Sequence, residues 1–383
     1  MKPVALTWKQ VAAWRASRHR LDRRAPSAAA LLDVVAEQGG VHAQVMSSAE
    51  LSVWARVEGV AAGDVATALW DDRSLVKTWA MRGTLHLLPT ADYRLWQAVL
   101  NGWRFYEKPY WLRGFNLSRD ELDGMLAAVP EVLDGKVLSR VELAEAIEAR
   151  VGVPGLAEKL IGSWGSVLKP ACYQGLLCFA SSVGQNVRFA RPDQWLDIGP
   201  PLGDPEAAAL EITRRYLTRY GPATREDYAH WWGGTTPAQA GKLIAALGDE
   251  VAPVTVAGAD DPAWLLATDV KAAAAAKPLK SVRLLPAFDQ YVIAASPHAD
   301  HLLAAPERAR VYRPQGWLSP VLTVGGHLSG VWRHERKGGR VVVTVEPFIA
   351  LPAWAKKAAA DEAERLAAFL GGTLELTVVP AAP

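Results

Sequence analysis

The 383-residue sequence predicts an α+β chain: tandem winged-helix units followed by a C-terminal antiparallel β-barrel. Three observations predict it. Helix-start signals recur through the first 240 residues, short hairpin signals follow groups of helices, and the character of the chain changes after KAAAAAKPLK (271 to 280).

Each helix start is a Ser or Thr followed three residues on by Glu, Gln or Asp, a spacing that lets two side chains satisfy orphan backbone N–H groups. The pairs are Thr7 with Gln10, Ser47 with Glu50, Ser118 with Glu121, Ser139 with Glu142, Thr224 with Asp227 and Thr236 with Gln239. Pro237 adds a favourable first helical residue.

Hairpins are expected in LVKTWAMRGTLHLLP (75 to 89), LLCFASSVGQNVRFA (176 to 190) and VAPVTVAGADDPAWLLATDV (251 to 270). In the middle case helices from Ser118, from Ser139 and through GSWGSVLKPACYQ come first, with a hairpin tip near Gly184. Helix, helix, helix, hairpin is a winged-helix unit. DPEAAALEITRRYLTRYG, TREDYAHWWGG and TPAQAGKLIAALGDE precede the third hairpin in the same way.

Four segments result: 1–115, a first winged-helix unit; 116–200, a second; 201–275, a third; and 276–383, the barrel with a helix. In the last, SVRLLPAFDQYVIAAS and VLTVGGHLSGVWRHERKGGRVVVTVEPF read as sheet, AWAKKAAADEAERLAAFLGG as a helix stopped by glycine, and TLELTVV as a final strand.

A net charge of +2 gives no bulk basic field, so an anionic partner must be met by local clusters. The start MKPVALTWKQ lacks a signal-peptide pattern and no stretch approaches eighteen apolar residues, which predicts a cytoplasmic protein with no membrane partner. Cys172 and Cys178 share one apolar segment and read as buried free thiols; no metal site is expected. GxGxxG and phosphate-loop motifs are absent.

The stretch VHAQVMSSAE (41 to 50) lies between Gly39-Gly40, which end a helix begun near Ser27, and the start at Ser47. If extended, it directs His42 and Gln44 one way while Val41, Ala43 and Val45 anchor against the core. Such a pair can hold a water or a polar ligand atom, yet neither is a strong base or nucleophile. Ser47 and Ser48, at the helix start, are placed to receive a phosphate. A plain capped connector is the structural alternative.

The segments GGVHAQVMSSAELSVWAR, TWAMRGTLHLLPTADYRLW, GSWGSVLKPACYQGLLCF, SVRLLPAFDQYVIA and GWLSPVLTVGGHLSGVW, in this order, resemble the AlkZ/YcaQ winged-helix DNA glycosylases across essentially the whole chain. The resemblance implies removal of N7-alkylated guanine, including bulky natural-product adducts and interstrand crosslinks. It also implies tandem winged helices with a C-terminal barrel and no metal or organic cofactor. The family's catalytic signature is Gln, an apolar residue, then Gln or Asp. Here it reads His42-Ala43-Gln44, so Gln44 carries over and His42 departs at the first position.

The expected enzyme is therefore a monofunctional DNA glycosylase of base excision repair, giving a producing organism self-resistance. Its partner is double-stranded DNA containing alkylated guanine, and a monomer is the default. Alkylation at N7 already makes the base a good leaving group, so the expected catalytic pair is Gln44, which orients the water, and His42, which shares its hydrogen bonds or, as a neutral imidazole, steadies the developing positive charge. With an ordinary pKa near 6.5, the contribution of His42 should fade below that pH. A non-catalytic DNA-binding regulator or adduct-binding protein is the competing reading, because winged helices are often binding modules.

Further DNA contacts are expected at Arg82, which a strand reading of MRGTLHLLP places on one face with Thr84 and His86, and at Arg333, Arg336, Lys337 and Arg340 around the glycine turn 338–339. RASRHRLDRR (15 to 24) is the strongest basic run, with a solvent-facing helix end or phosphate contact in prospect. The sixteen tryptophans are scattered and read as packing residues, Trp231 and Trp232 among them. Asp289 reads as a structural carboxylate.

Overall fold

Thr7, Ser118, Ser139, Thr224 and Thr236 each accept a hydrogen bond from the backbone three residues on, and the side chain there accepts in return from the cap N–H. These five reciprocal caps start helices where the spacing predicts. The sixth fails: the helix Met46–Trp54 begins earlier, with Val45 at its cap and no side-chain cap bond. The computed structural model describes residues 3–259, 261–295 and 299–381. Met1, Lys2, Asp260 and Ser296, which fall in stretches quoted above, lie outside them.

The chain divides into two compact units, Val65–Ile212 and a discontinuous one made of Met1–Asp64 with Thr213–Pro383. Their limits fall inside the segments 1–115 and 201–275 instead of between consecutive segments.

In the unit Val65–Ile212, a hairpin pairs Leu75–Trp79 with Leu85–Pro89. Helices Arg119–Val132, Arg140–Val151 and Leu156–Gly162 follow. The stretch expected as one helix through GSWGSVLKPACYQ splits into a 3-10 turn, Ser166–Leu168, and a short helix, Lys169–Tyr173. The hairpin Cys178–Val183 with Asn186–Ala190 then turns at Gly184, and Leu138–Ser139 completes a three-stranded sheet. Leu122, Leu143, Ile147, Leu160 and Phe189 are sealed in its core. Cys172 and Cys178 are buried free thiols, and burial pushes Cys172 up to about 12.

In the discontinuous unit, helices Arg225–Trp232 and Pro237–Ala246 precede the hairpin Val251–Val256 with Ala263–Leu266. Its third strand is Val4–Leu6, from the far N-terminus, running parallel to Val251–Val256. Trp231 and Trp232 are buried, as packing residues.

The C-terminal sheet orders Val282–Leu285, Val321–Val324, His327–Lys337, Arg340–Pro347 and Thr373–Val378. The expected closed barrel is not found among the described residues: Val282–Leu285 and Thr373–Val378 are edges that share no ladder. The reason is the helix Ala353–Phe369, which packs on both edge strands, and the last strand, which returns parallel to its neighbour instead of antiparallel. The stretch read as sheet through residue 296 also leaves the strand at Leu285 and forms the helix Gln290–Ile293. Leu51 and Trp54 share a core with Val321, Trp332 and Val343, so the helix after the candidate loop is anchored in this sheet. No helix among the described residues is long and apolar enough to cross a membrane.

In the basic run from Arg15, four of the five arginines have partners within their own unit, and Arg23 is exposed. Arg15 donates to the Pro222 carbonyl at 2.5 Å, Arg18 to that of Thr218 at 2.7 Å, and Arg20 pairs with Glu37 through two bonds. Arg24 is held by Glu362 and the Ala55 carbonyl. A helix end facing three other segments of its own unit puts its guanidinium groups to work as internal ties.

Candidate active site

Gly39 and Gly40 both lie at positive φ, 69° and 90°, which lets the chain leave the helix Leu31–Glu37 and extend at once into Val41–His42. Two successive residues there are tolerable for glycine and strained for any side chain. The Gly40 carbonyl accepts from Gln290 Nε2 at 2.9 Å, and the Gln38 carbonyl accepts from the Tyr220 hydroxyl at 2.8 Å. The entry to the loop is therefore fixed before the candidate residues begin.

Extended backbone stops at His42, and the chain bends at Gln44 and Val45 to enter the helix Met46–Trp54. Alternation of side chains holds only in extended chain. The expected alternation, with His42 and Gln44 facing one way and Ala43 the core, is not matched by exposure: His42 is 3% exposed, Ala43 is buried, and Gln44 is exposed. The imidazole of His42 stacks on Phe288, centroids 5.0 Å apart and planes at 22°.

Ser47 is exposed and Ser48 buried, both inside the first turn of a helix whose N-terminus no side chain caps. Glu50, read from the sequence as the capping partner, is instead half-buried, and burial raises its carboxyl above the usual range. An uncapped terminus directly after Gln44 leaves the helix dipole to favour an anion there.

Phe288 is a second feature of the site that sequence reasoning missed. Its φ of 58° is unusual for a bulky side chain and costs about 1–3 kcal/mol. Both following residues are held in place by hydrogen bonds. Asp289, fully buried, accepts from Arg56 through two bonds of 2.7 Å, from Ser52 Oγ at 2.9 Å and from the Tyr291 N–H at 2.9 Å. Gln290 holds the Gly40 carbonyl. The structural reading of Asp289 is thus correct, but its chief partner, Arg56, carries no sequence signal. Arg56 also donates to the Ser52 and His19 carbonyls. His19 in turn donates from Nδ1 to Gln38 Oε1 at 2.8 Å; burial first, then Arg56 and Arg219, hold its pKa well below the ordinary histidine value.

The other expected contact residues occupy two places, one in each unit. In Val65–Ile212, Arg82 is not on a strand: it sits in the 3-10 turn Met81–Gly83 with φ 57°. It donates from Nη2 to His86 Nε2 at 3.3 Å, and His86 donates from Nδ1 to the Thr84 carbonyl at 3.0 Å. In the discontinuous unit, Arg333, Arg336, Lys337 and Arg340 are all exposed on the long hairpin. Arg333 pairs with Glu346, Lys337 with Glu335 at 2.9 Å and Arg340 with Glu375 at 2.7 Å. Arg336 has no carboxylate partner among the described residues.

The family described as DNA glycosylase AlkZ-like matches residues 35–369. An interstrand DNA cross-link repair glycosylase of Streptomyces sahachiroi is 36% identical over 329 residues, covering 85% of this chain and 87% of the relative. The solved structure of Streptomyces sahachiroi DNA glycosylase AlkZ superposes with a TM-score of 0.87 at 34% identity, over 98% of this chain and all of that one. On these matches, which include the loop around Gln44 and the Phe288–Tyr291 segment that locks it, the chain belongs to the AlkZ-like DNA glycosylase family.

Proposed function

We propose that the protein hydrolyses the N-glycosidic bond of N7-alkylguanine in duplex DNA, including bulky adducts and interstrand crosslinks, with Gln44 as the residue that orients the attacking water. The observation that carries this reading is the exposed carboxamide of Gln44, held on a locked loop and followed at once by an uncapped helix terminus. The repair of cross-links by a relative 36% identical supports the substrate class.

In this reaction the C1′–N9 bond breaks and its electron pair moves onto the cationic guanine, which leaves neutral. Water adds to C1′ of the oxocarbenium-like sugar and loses a proton to solvent. The Gln44 side-chain carbonyl accepts a hydrogen bond from that water, and the uncapped first turn at Met46, with Ser47 and Ser48, receives a neighbouring phosphate. His42, buried against Phe288, acts as a neutral imidazole behind the loop. Arg82 and the cations Arg333, Arg336, Lys337 and Arg340 contact the DNA backbone. Segment 1–115 carries the Gln44 loop and Arg82, segments 116–200 and 201–275 serve as further winged-helix units, the hairpin of segment 276–383 carries the four other cations, and the protein acts as a cytoplasmic monomer.

The test is incubation of purified protein with duplexes carrying defined N7-guanine adducts, followed by mass spectrometry of the supernatant. Liberated modified base is the expected result. A mobility shift without any released base would make the protein an adduct-binding module instead.

A further inference from the structure

The His42–Phe288 stack does not end at Phe288. Trp317 meets the Phe288 ring edge to face, centroids 4.9 Å apart and planes at 78°, and remains 50% exposed. Three rings therefore run from a buried histidine to the surface, and the reaction described above uses only the inner end.

The outer ring is rigidly presented. Residues Pro314–Gly316 form a 3-10 turn in which Gln315 and Gly316 both have positive φ, 61° and 74°. The Arg313 N–H donates to the Trp317 carbonyl at 2.8 Å, Tyr312 and Leu318 bridge below it, and Leu318 is buried. Both ends of the turn are tied down while the indole stands half in water. Across the turn, Arg313 is exposed and has no carboxylate partner among the described residues. An exposed cation and a half-exposed indole at the two ends of one turn form a pairing suited to nucleic acid, one meeting phosphate and the other a ring face.

We infer that Trp317 is a specificity-determining residue that stacks on a planar aromatic ring of the damaged DNA, the ring being either a group appended at N7 or a base beside the lesion. The inference rests on the reading of the Gln44 loop as the excision site. Its physical basis is that stacking on an aromatic side chain is worth about 1–3 kcal/mol per ring and tolerates any flat partner. A rigid, half-exposed indole coupled through Phe288 to the loop meets that ring with little loss of its own freedom.

Single-turnover excision on two duplexes tests it, one bearing N7-methylguanine and one an N7 adduct with a flat aromatic appendage. Trp317→Leu, which keeps apolar bulk but no ring, should raise the half-saturating enzyme concentration roughly 5- to 100-fold, with the plateau rate within about threefold of the parent. Trp317→Phe should recover most of that loss. An effect on both duplexes assigns the ring to a neighbouring base; an effect on the aromatic adduct alone assigns it to the appendage. Unchanged half-saturation on both, or a fall in plateau rate alone, overturns the inference. Gln44→Ala, run in parallel, should lower the plateau instead. A normal Gln44→Ala plateau beside a shifted Trp317→Leu half-saturation would overturn the excision-site reading separately.

Discussion

Arg56 holds both carboxylate oxygens of Asp289 at 2.7 Å in a place where neither side chain reaches solvent, 1% and 0% exposed. The pair joins the turn that follows the helix Met46–Trp54 to the segment that stacks on His42. Removing one partner leaves the other charge buried alone, at a cost of about 3–5 kcal/mol. Asp289→Ala should lose that much stability in urea unfolding. An Arg56→Met, Asp289→Leu double variant should lose clearly less than the single one.

Gln44 is exposed, so its truncation removes chemistry without opening a cavity. Gln44→Ala should change unfolding stability by less than about 0.5 kcal/mol. Its single-turnover excision of an N7-guanine adduct should fall by roughly 10² to 10⁴. Full retained activity would remove Gln44 from the reaction.

Phe288 separates two effects that usually travel together. Phe288→Ala keeps a left-handed side-chain-bearing residue and loses the ring, whereas Phe288→Gly loses the ring and relieves the backbone. The glycine variant should be the more stable of the two by about 1 kcal/mol, read by thermal or urea unfolding. Both should excise poorly, because His42 and Trp317 lose the ring between them.

Two histidines should make the fold acid-sensitive. Burial first, then Arg15 and His327, lower His301 to about 3, and His19 is held well below its ordinary value by burial and then Arg56 and Arg219. The unfolded chain binds these protons near pH 6.5, so it takes up more of them than the folded one below that pH. Their contribution is fully present above pH 6.5 and is lost as pH falls towards 3, each with a slope of at most about 1.4 kcal/mol per unit. His301 stacks on Trp8 at 3.4 Å, and His301→Phe keeps a ring there. Urea unfolding across that window should give a shallower pH dependence for His301→Phe than for the parent.

Arg336 should dominate the electrostatics of the long hairpin. Arg333, Lys337 and Arg340 each face a carboxylate, which a phosphate must displace, while Arg336 has none among the described residues. Arg336→Ala should reduce the salt slope of duplex binding by about one unit, a larger change than Arg333→Ala produces. Equal slopes for Arg336→Ala and Arg333→Ala would rule out this ranking.

Local rules made much of the chain legible. Five reciprocal caps, three hairpins and the terminal helix follow from interactions within a few residues, and such interactions are written in consecutive sequence. The Ser47–Glu50 spacing misled because spacing does not say which residue leaves the helix first. The bend at Gln44–Val45 starts the helix at Met46 and carries Ser47 inside it.

By itself, the sequence determined five capped helix starts, three hairpins, the α+β class and the position of Gln44 in a family-like motif. Only the tertiary structure decided that His42 is buried, that Phe288 and Trp317 continue its stack, that Arg56 neutralises Asp289, and that the last sheet stays open. The reason is distance along the chain. Caps and turns join neighbours, whereas His42 and Phe288, or Arg56 and Asp289, meet only after more than two hundred residues have folded between them, and no local periodicity records that meeting.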